Sequence, residues 1–356
     1  MKSVAIIGIQ GLPANYGGFE SLVENMLGEN SSGDVSYTIF CSASDMKSDA
    51  LTEYKGAKLE YIYCPSHGIN SIRYYTKSLI KAGNRFDTVL ILGLAGGLYL
   101  PIFKLKAKSR IIVNVDGIER KRAKWGGLAR LVLYILEKLS VIFADVLISD
   151  NEGIRQFLMD EYKKDSVMIA YGGDHVLRNI DDTFSAQLLE KYNLKNSTYA
   201  IAVCRIEPEN NCHLILDAFS ASDAKLVYIG NWDRSNYGKD LKSRFSNCKN
   251  ILMLNPIYDL DTLYILRANA SMYIHGHSVG GTNPSLVEAM FFGIPILSYD
   301  VIFNRETTNN RAYYFRDKNE LLQLITQPDL NGKGMLEIAK AKYTWGFIVD
   351  QYERLY

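Results

Sequence analysis

Residues 271–297 read SMYIHGHSVGGTNPSLVEAMFFGIPIL, an order of residue types that predicts strand, glycine loop, helix and second strand. The apolar run 271–274 predicts a strand entering His275-Gly276-His277. Gly280-Gly281-Thr282-Asn283 predicts a loop, because glycine lets backbone bend and approach a ligand closely. Pro284 suits a first helical position with Asn283 as its cap. The helix is expected over 285–292, with Glu288 in its first turn, and the next strand over 295–298. A glycine loop opening a helix is an anion site, since free N–H groups and the positive dipole end face it. From there the Glu288 carboxylate can accept hydrogen bonds from sugar or ribose hydroxyls; its alternative role is a dipole partner worth about 0.3–1 kcal/mol.

The same alternation runs through the rest of the chain. Strands are predicted at 4–7, 37–41, 59–63, 88–92, 110–115, 146–148 and 166–169, then at 199–203, 225–229 and 251–254. Helical patterns lie at 19–27, 71–82, 128–143, 153–161, 213–221 and 260–268. Strands followed by helices imply parallel sheets with helices on both faces. The pattern pauses over the polar stretch 172–196. The expected fold class is therefore α/β, with two doubly wound, Rossmann-like domains facing a cleft. Residues 1–171 form the first, 172–196 a linker and 197–340 the second, and a C-terminal helix at 341–356 returns to the first. Ligands in such sheets sit beyond the carboxyl ends of the strands.

Composition narrows the function. The 356 residues suit two domains, and 47% hydrophobic with 22% charged residues is ordinary globular usage. Lys plus Arg is 40 against 39 Asp plus Glu, which excludes a globally basic nucleic-acid coat. The five cysteines show no CxxC spacing, so neither a disulfide framework nor a zinc knuckle is expected. Cys204, Cys212 and His213 are weighed as metal ligands and set aside for a buried strand cysteine and an exposed helix-start pair; no metal or cofactor is expected. The N-terminus shows no secretion signal, and no stretch reaches the ~20 apolar residues of a bilayer span. A cytoplasmic protein at the inner face of the membrane is expected.

Other loops also follow predicted strands. Residues 8–20, GIQGLPANYGGFE, place Gly8, Gly11, Gly17 and Gly18 between a strand and a helix, which suits a phosphate. The spacing fits neither GxGxxG nor the Walker loop. Arg205 follows the strand 199–203, where a guanidinium can grip a diphosphate bidentately. Asp259-Leu260-Asp261 matches a metal-binding DxD, but its place at a helix start predicts a cap. Asp116 follows the strand 110–115 and is a candidate for the reacting centre or the acceptor sugar, with Glu119 a weaker acceptor candidate. Residues 104–138 carry ten basic side chains against three acidic ones. Among them Arg120, Lys121, Arg122, Lys124 and Trp125 make a basic, aromatic patch suited to an anionic membrane surface.

The motifs GLPANYGGFE (11–20), DGIERKRAKW (116–125), RIEPENN (205–211) and HGHSVGGTNPSLVEAMFFGIP (275–295) resemble those of GT-B retaining glycosyltransferases, a family 4-like group. The closest resemblance is to bacterial polysaccharide and capsule rhamnosyltransferases. It implies a nucleotide-sugar donor, dTDP-L-rhamnose, a lipid-diphosphate-linked glycan acceptor and transfer with retention. It also implies donor contacts at Gly17, Gly18, Arg205, Asn210, Ile257, Tyr258, Gly281, Thr282, Asn283 and Glu288. Asp116, Arg205 and Glu288 are the expected catalytic groups, with Tyr16, Asp116, Glu119 and His275 toward the acceptor. Two positions depart from the family pattern: Gly280 stands where E-x7-E has its first Glu, and Asn210 replaces the usual lysine. The competing readings are a UDP- or GDP-sugar donor, a nucleotide-sugar epimerase, a Rossmann oxidoreductase and a non-catalytic sugar-nucleotide binder.

Overall fold

The computed structural model describes the chain except residues 15–16, 30–32, 46–50, 116, 122–124, 196 and 333 and the side chain of Lys121. It divides into two compact units, Met1–Tyr171 with Trp345–Tyr356, and Gly172–Thr344.

The first unit runs β1 (Lys2–Ile7), α1 (Gly18–Glu29), β2 (Val35–Ser42), β3 (Glu53–Tyr54), β4 (Ala57–Ile62), α2 (Asn70–Ala82) and β5 (Thr88–Leu92). It continues with α3 (Leu100–Lys106), β6 (Arg110–Val115), α4 (Gly127–Phe143), β7 (Val146–Ser149), α5 (Glu152–Tyr162) and β8 (Val167–Met168). Its eight strands lie in the order β3-β4-β2-β1-β5-β6-β7-β8, parallel except where β3 meets β4. The central strands are apolar on both faces, as helices covering both sides require: Val4, Ala5, Ile6 and Ile7 are all fully buried.

The second unit runs α6 (Asp182–Lys191), β9 (Tyr199–Val203), α7 (Cys212–Ser220), β10 (Lys225–Ile229), α8 (Asn236–Arg244), β11 (Ile251–Leu254), α9 (Leu260–Ala268) and β12 (Met272–His275). Then come α10 (Pro284–Met290), β13 (Ile296–Tyr299), α11 (Ile302–Thr307), β14 (Tyr313–Phe315), α12 (Lys318–Thr326) and α13 (Met335–Lys342). Its sheet is wholly parallel, ordered β11-β10-β9-β12-β13-β14. The segment 172–196, expected as a linker, holds a 3-10 turn and α6 and lies within this unit. Only Leu188 of α6 is buried, so its sequence carries little periodicity.

The last helix, α14 (Trp345–Glu353), belongs to the first unit and packs on α1. It starts at Trp345 rather than 341; residues 335–342 form α13 in the second unit. Trp345, Ile348, Val349 and Tyr352 recur at helical spacing and are buried. The Asn114 amide donates to the Tyr352 hydroxyl at 2.6 Å, tying the helix to the end of β6.

Candidate functional site

In the second unit the chain leaves β9 toward β10 and β11, then crosses back to place β12 on the other side of β9. This reversal is the switch point where open parallel sheets bind ligands. The loops after β9 and β12 meet there. Ser278 donates its N–H (2.9 Å) and its hydroxyl (2.8 Å) to the Glu209 carbonyl, and the Asn211 amide donates to the Gly276 carbonyl at 2.9 Å. A Cβ on Gly276 would lie 2.2 Å from the Asn210 carbonyl oxygen, so only glycine allows this approach. The Tyr273 hydroxyl, within hydrogen-bond distance of the Val203 carbonyl and the Ser285 hydroxyl, joins the end of β9 to the start of α10.

Arg205 stands in the first of these loops, exposed and in no ion pair among the described residues. Its charge bears on His277, so the two sit close. Glu288 lies on α10, in the second turn rather than the expected first. One carboxylate oxygen pairs with Arg267 of α9 at 2.5 Å, and the other lies 3.6 Å from His175 Nε2. Burial holds the His175 imidazole below its ordinary value, although Glu288 pulls the other way. Arg267 is 2% exposed, so Glu288 is fixed by a buried cation and still keeps part of its carboxylate toward solvent. Neither Arg267 nor His175 was singled out from sequence: one is a cation near a helix end, the other a lone histidine in a turn.

Several expected donor contacts have other work. Asn210 is buried, and its amide donates to the Arg205 carbonyl at 2.7 Å, which shapes the arginine loop from inside. Asn283 caps α10 as expected, accepting from the Ser285 N–H at 3.0 Å, with Pro284 at the first turn. The helix start is thereby partly spent, since Pro284 has no N–H and Ser285's is taken. Thr282 is buried, Gly281 is half-buried, and Ile257 and the exposed Tyr258 follow β11. Gly280 has φ +131°, and a Cβ added there would meet nothing within 4 Å: there is space for a side chain but the backbone disfavours one. Asp259 caps α9, accepting from the Thr262 N–H at 2.9 Å, and no group of His, Cys, Asp and Glu could hold a metal ion among the described residues.

His275, expected toward the acceptor, is 1% exposed. It ends β12, is buried, and stacks on His277 with ring centroids 4.4 Å apart. Burial pushes its imidazole down to about 3, the neighbouring Asn304 offsetting a little, and drives His277 down as well. Neither ring nitrogen of His275 has a hydrogen-bond partner among the described residues. Cys212 opens α7 fully buried, not exposed as expected, with its sulfur 3.9 Å from that of Cys204.

In the first unit the reversal falls between β1 and β5. A Cβ on Gly8 (φ +126°) would lie 2.2 Å from the Leu92 carbonyl oxygen, so the loops after these strands touch through bare backbone. Glu20 of α1 accepts from the Gln10 N–H at 2.8 Å, and Glu24 from the Ala14 N–H at 2.9 Å. Gly17 has φ +87°, and its Cβ would lie 2.6 Å from a Glu20 oxygen; Gly18 begins α1. Two carboxylates thus hold this loop and weaken its expected appeal to phosphate. Tyr16 and Asp116 lie outside the described residues.

The basic patch is likewise rearranged. Arg120 pairs with the buried Glu137 at 3.0 Å and with Glu161 at 3.1 Å, and lies over the rings of Tyr134 and Phe157. It is a structural cation, not a free surface charge. The half-buried Trp125 donates its indole N–H to Glu119 at 3.1 Å, which occupies that carboxylate too. Arg122, Lys124 and the Lys121 side chain lie outside the described residues. No helix among the described residues is long and apolar enough to cross a membrane.

Residues 185–324 match the family model of glycosyl transferases group 1, and residues 1–174 match a domain of unknown function, DUF1972. No curated protein matches the sequence. Among solved structures, sucrose-phosphate synthase from Thermosynechococcus elongatus superposes with TM-score 0.84 at 14% identity, over 100% of this chain and 98% of its own. Anabaena HepE in complex with UDP-glucose gives 0.76 at 13%, over 100% and 99%. S. aureus MnaA with UDP gives 0.64 at 15%, over 99% and 95%. The fold is GT-B, and with its glycosyl transferases group 1 domain the protein is a glycosyltransferase.

Proposed function

We propose that the protein transfers a sugar, with retention, from a nucleotide-diphosphate donor to a lipid-diphosphate-linked glycan during assembly of a capsule or other cell-surface polysaccharide. One observation carries the reading: Arg205, exposed and in no ion pair among the described residues, and a cation-anchored Glu288 flank the switch point of the second sheet. In this reading Arg205 grips the leaving diphosphate, with N–H groups of the Gly281-Thr282 loop beside it. Stabilising the charge that develops there is the largest catalytic lever such a site has. Glu288 accepts from the ribose hydroxyls, and Ile257 and Tyr258 meet the base. The acceptor hydroxyl attacks on the face the leaving group departs from, and the departing phosphate takes its proton. Asp116 is assigned, from its place in the sequence, a role at the reacting centre or on the acceptor sugar; an Asp116→Asn enzyme with unchanged turnover removes it from the mechanism.

The sequence motifs favour dTDP-L-rhamnose as donor. A UDP-sugar is the second reading, favoured because HepE was solved with UDP-glucose and MnaA with UDP. Thermal stabilisation by dTDP, UDP, GDP and ADP, with NAD as control, decides between them, since a ligand of the native state raises stability by mass action. A dTDP-selective shift lost in Arg205→Ala and Glu288→Ala supports the rhamnosyl reading. A UDP-selective shift moves the donor to the second reading, and a shift with NAD alone overturns both.

A further inference from the structure

The apolar stripe of α4 faces outward. Leu128, Leu131, Ile135 and Ile142 recur three, four and seven residues apart, the spacing of one helix face, and all four are exposed, Leu128 by 78%. Val132 flanks them and is exposed too. The buried face of the same helix carries Leu136, Glu137, Ser140 and Val141. The neighbouring α3, in contact with α4, repeats the arrangement: Leu98 just before it, Ile102 and Leu105 are exposed, Leu105 by 88%. Contiguous exposed apolar faces mark surfaces that meet a partner.

The charges around the stripes are of one sign. Lys106 on α3 and Arg130 and Lys138 on α4 are exposed. Of the acids nearby, Glu137 is buried against Arg120 and Asp145 is paired with Lys104. A second copy docked by a two-fold axis would set these cations against themselves. Apolar side chains that enter an acyl layer while cations remain at headgroup level instead describe a helix lying on an anionic bilayer.

We infer that α3 and α4 form the surface by which the first unit docks on an anionic lipid bilayer. The inference deepens the reading of a lipid-linked acceptor and rests on it only for the acceptor's location. It moves the membrane surface from residues 120–125, where Arg120 and Trp125 are already bonded, to the helices that precede and follow β6 in the chain. The full chain is floated with phosphatidylcholine vesicles, with and without phosphatidylglycerol, in the absence of substrates. Binding is expected only with the anionic lipid, weakened about fivefold for each cation removed in Lys106→Gln and Lys138→Gln. It is expected to vanish in Leu131→Asn/Ile135→Asn at an unchanged melting temperature, and to persist in Ile69→Asn, whose side chain is more exposed still but lies just before α2.

Wild-type protein that ignores anionic vesicles overturns the inference, as does a stripe variant that floats like wild type. Sedimentation showing that Leu131→Asn/Ile135→Asn turns a dimer into a monomer, without vesicle binding, assigns the surface to a second copy instead. Loss of turnover with vesicle binding intact counts against the transfer reading alone.

Discussion

Replacing Arg267 by Met tests the anchor of the proposed donor site. The guanidinium is buried and pairs with the Glu288 carboxylate at 2.5 Å. Methionine keeps most of the volume and leaves Glu288 without its cation. Removing one partner of a buried pair costs about 3–5 kcal/mol, because the other charge stays desolvated. The Glu288 side chain keeps 18% of its exposure, which places the cost near the low end, about 3 kcal/mol. Urea denaturation measures this, with the buried Trp232 reporting on the second unit. Glu288→Gln should cost a similar amount, and the double variant should lose less than the sum, since paired residues couple by about 0.5–3 kcal/mol. Nucleotide binding gives the second readout. In the proposed reading, a carboxylate no longer held for the ribose loses a charged hydrogen bond worth about 1.5–3 kcal/mol, or about 10- to 150-fold in Kd. Arg267→Lys should fall between, keeping the charge without the planar fork. If Arg267→Met costs under about 1 kcal/mol and binds nucleotide like wild type, the anchor is irrelevant and the argument fails.

Three further outcomes follow from the packing. His275 is held at about 3 by burial, against 6.5 in the unfolded chain, so as pH falls the unfolded state binds the proton first. Stability present above pH ~6.5 is therefore lost on acidification by about 1.4 kcal/mol per pH unit toward the folded value. His275→Phe should flatten the acid limb of a stability–pH curve, and an unchanged slope would show that the ring is not buried neutral. Trp345→Ala should destabilise the first unit by about 3–5 kcal/mol through the cavity left between α14 and α1, read as a lowered urea midpoint. Gly8→Ala forces a Cβ to 2.2 Å from the Leu92 carbonyl at a φ that L residues avoid, so soluble yield and melting temperature should both drop; a wild-type melting curve would mean that the loops after β1 and β5 do not touch.

The sheets were legible because parallel strands buried on both faces leave unbroken apolar runs. β5, β6, β9, β10 and β11 end where the apolar runs end. α9 was legible to the residue, and the Asn283 cap was legible because Asx-Pro at a helix start has a local cause. Elements that bury little were not. α8 buries Gly238 and Leu241 among nine residues, and α3 hides behind Pro101 inside an apolar stretch that suggests no helix. What failed at the site was long-range: no spacing rule could link Arg267 to Glu288, 21 residues on, or Arg120 to Glu137 and Glu161.

A charge in a sequence says what a side chain can do; its partners decide whether it is free to do it. Arg120 and Arg205 both follow strands and both looked like cations awaiting an anion. Arg120 met two carboxylates and two aromatic rings, while Arg205 met none of the described acids and stays exposed. Glu20, Glu24 and Glu288 divide in the same way. Glu20 and Glu24 spend oxygens on the N–H groups of their own loop, whereas Glu288 is held by a buried cation with part of its carboxylate still wet. Loop backbone satisfied from within is rigid but closed to anions; a carboxylate fixed from behind is rigid and still open. By that criterion the proposed donor site draws on the loops after β9 and β12 with α10, and the glycine loop after β1 shapes backbone more than it gathers charge. The order of effects in nucleotide affinity should follow: Arg205→Ala and Glu288→Ala large, Glu20→Gln small once its cost to stability is subtracted.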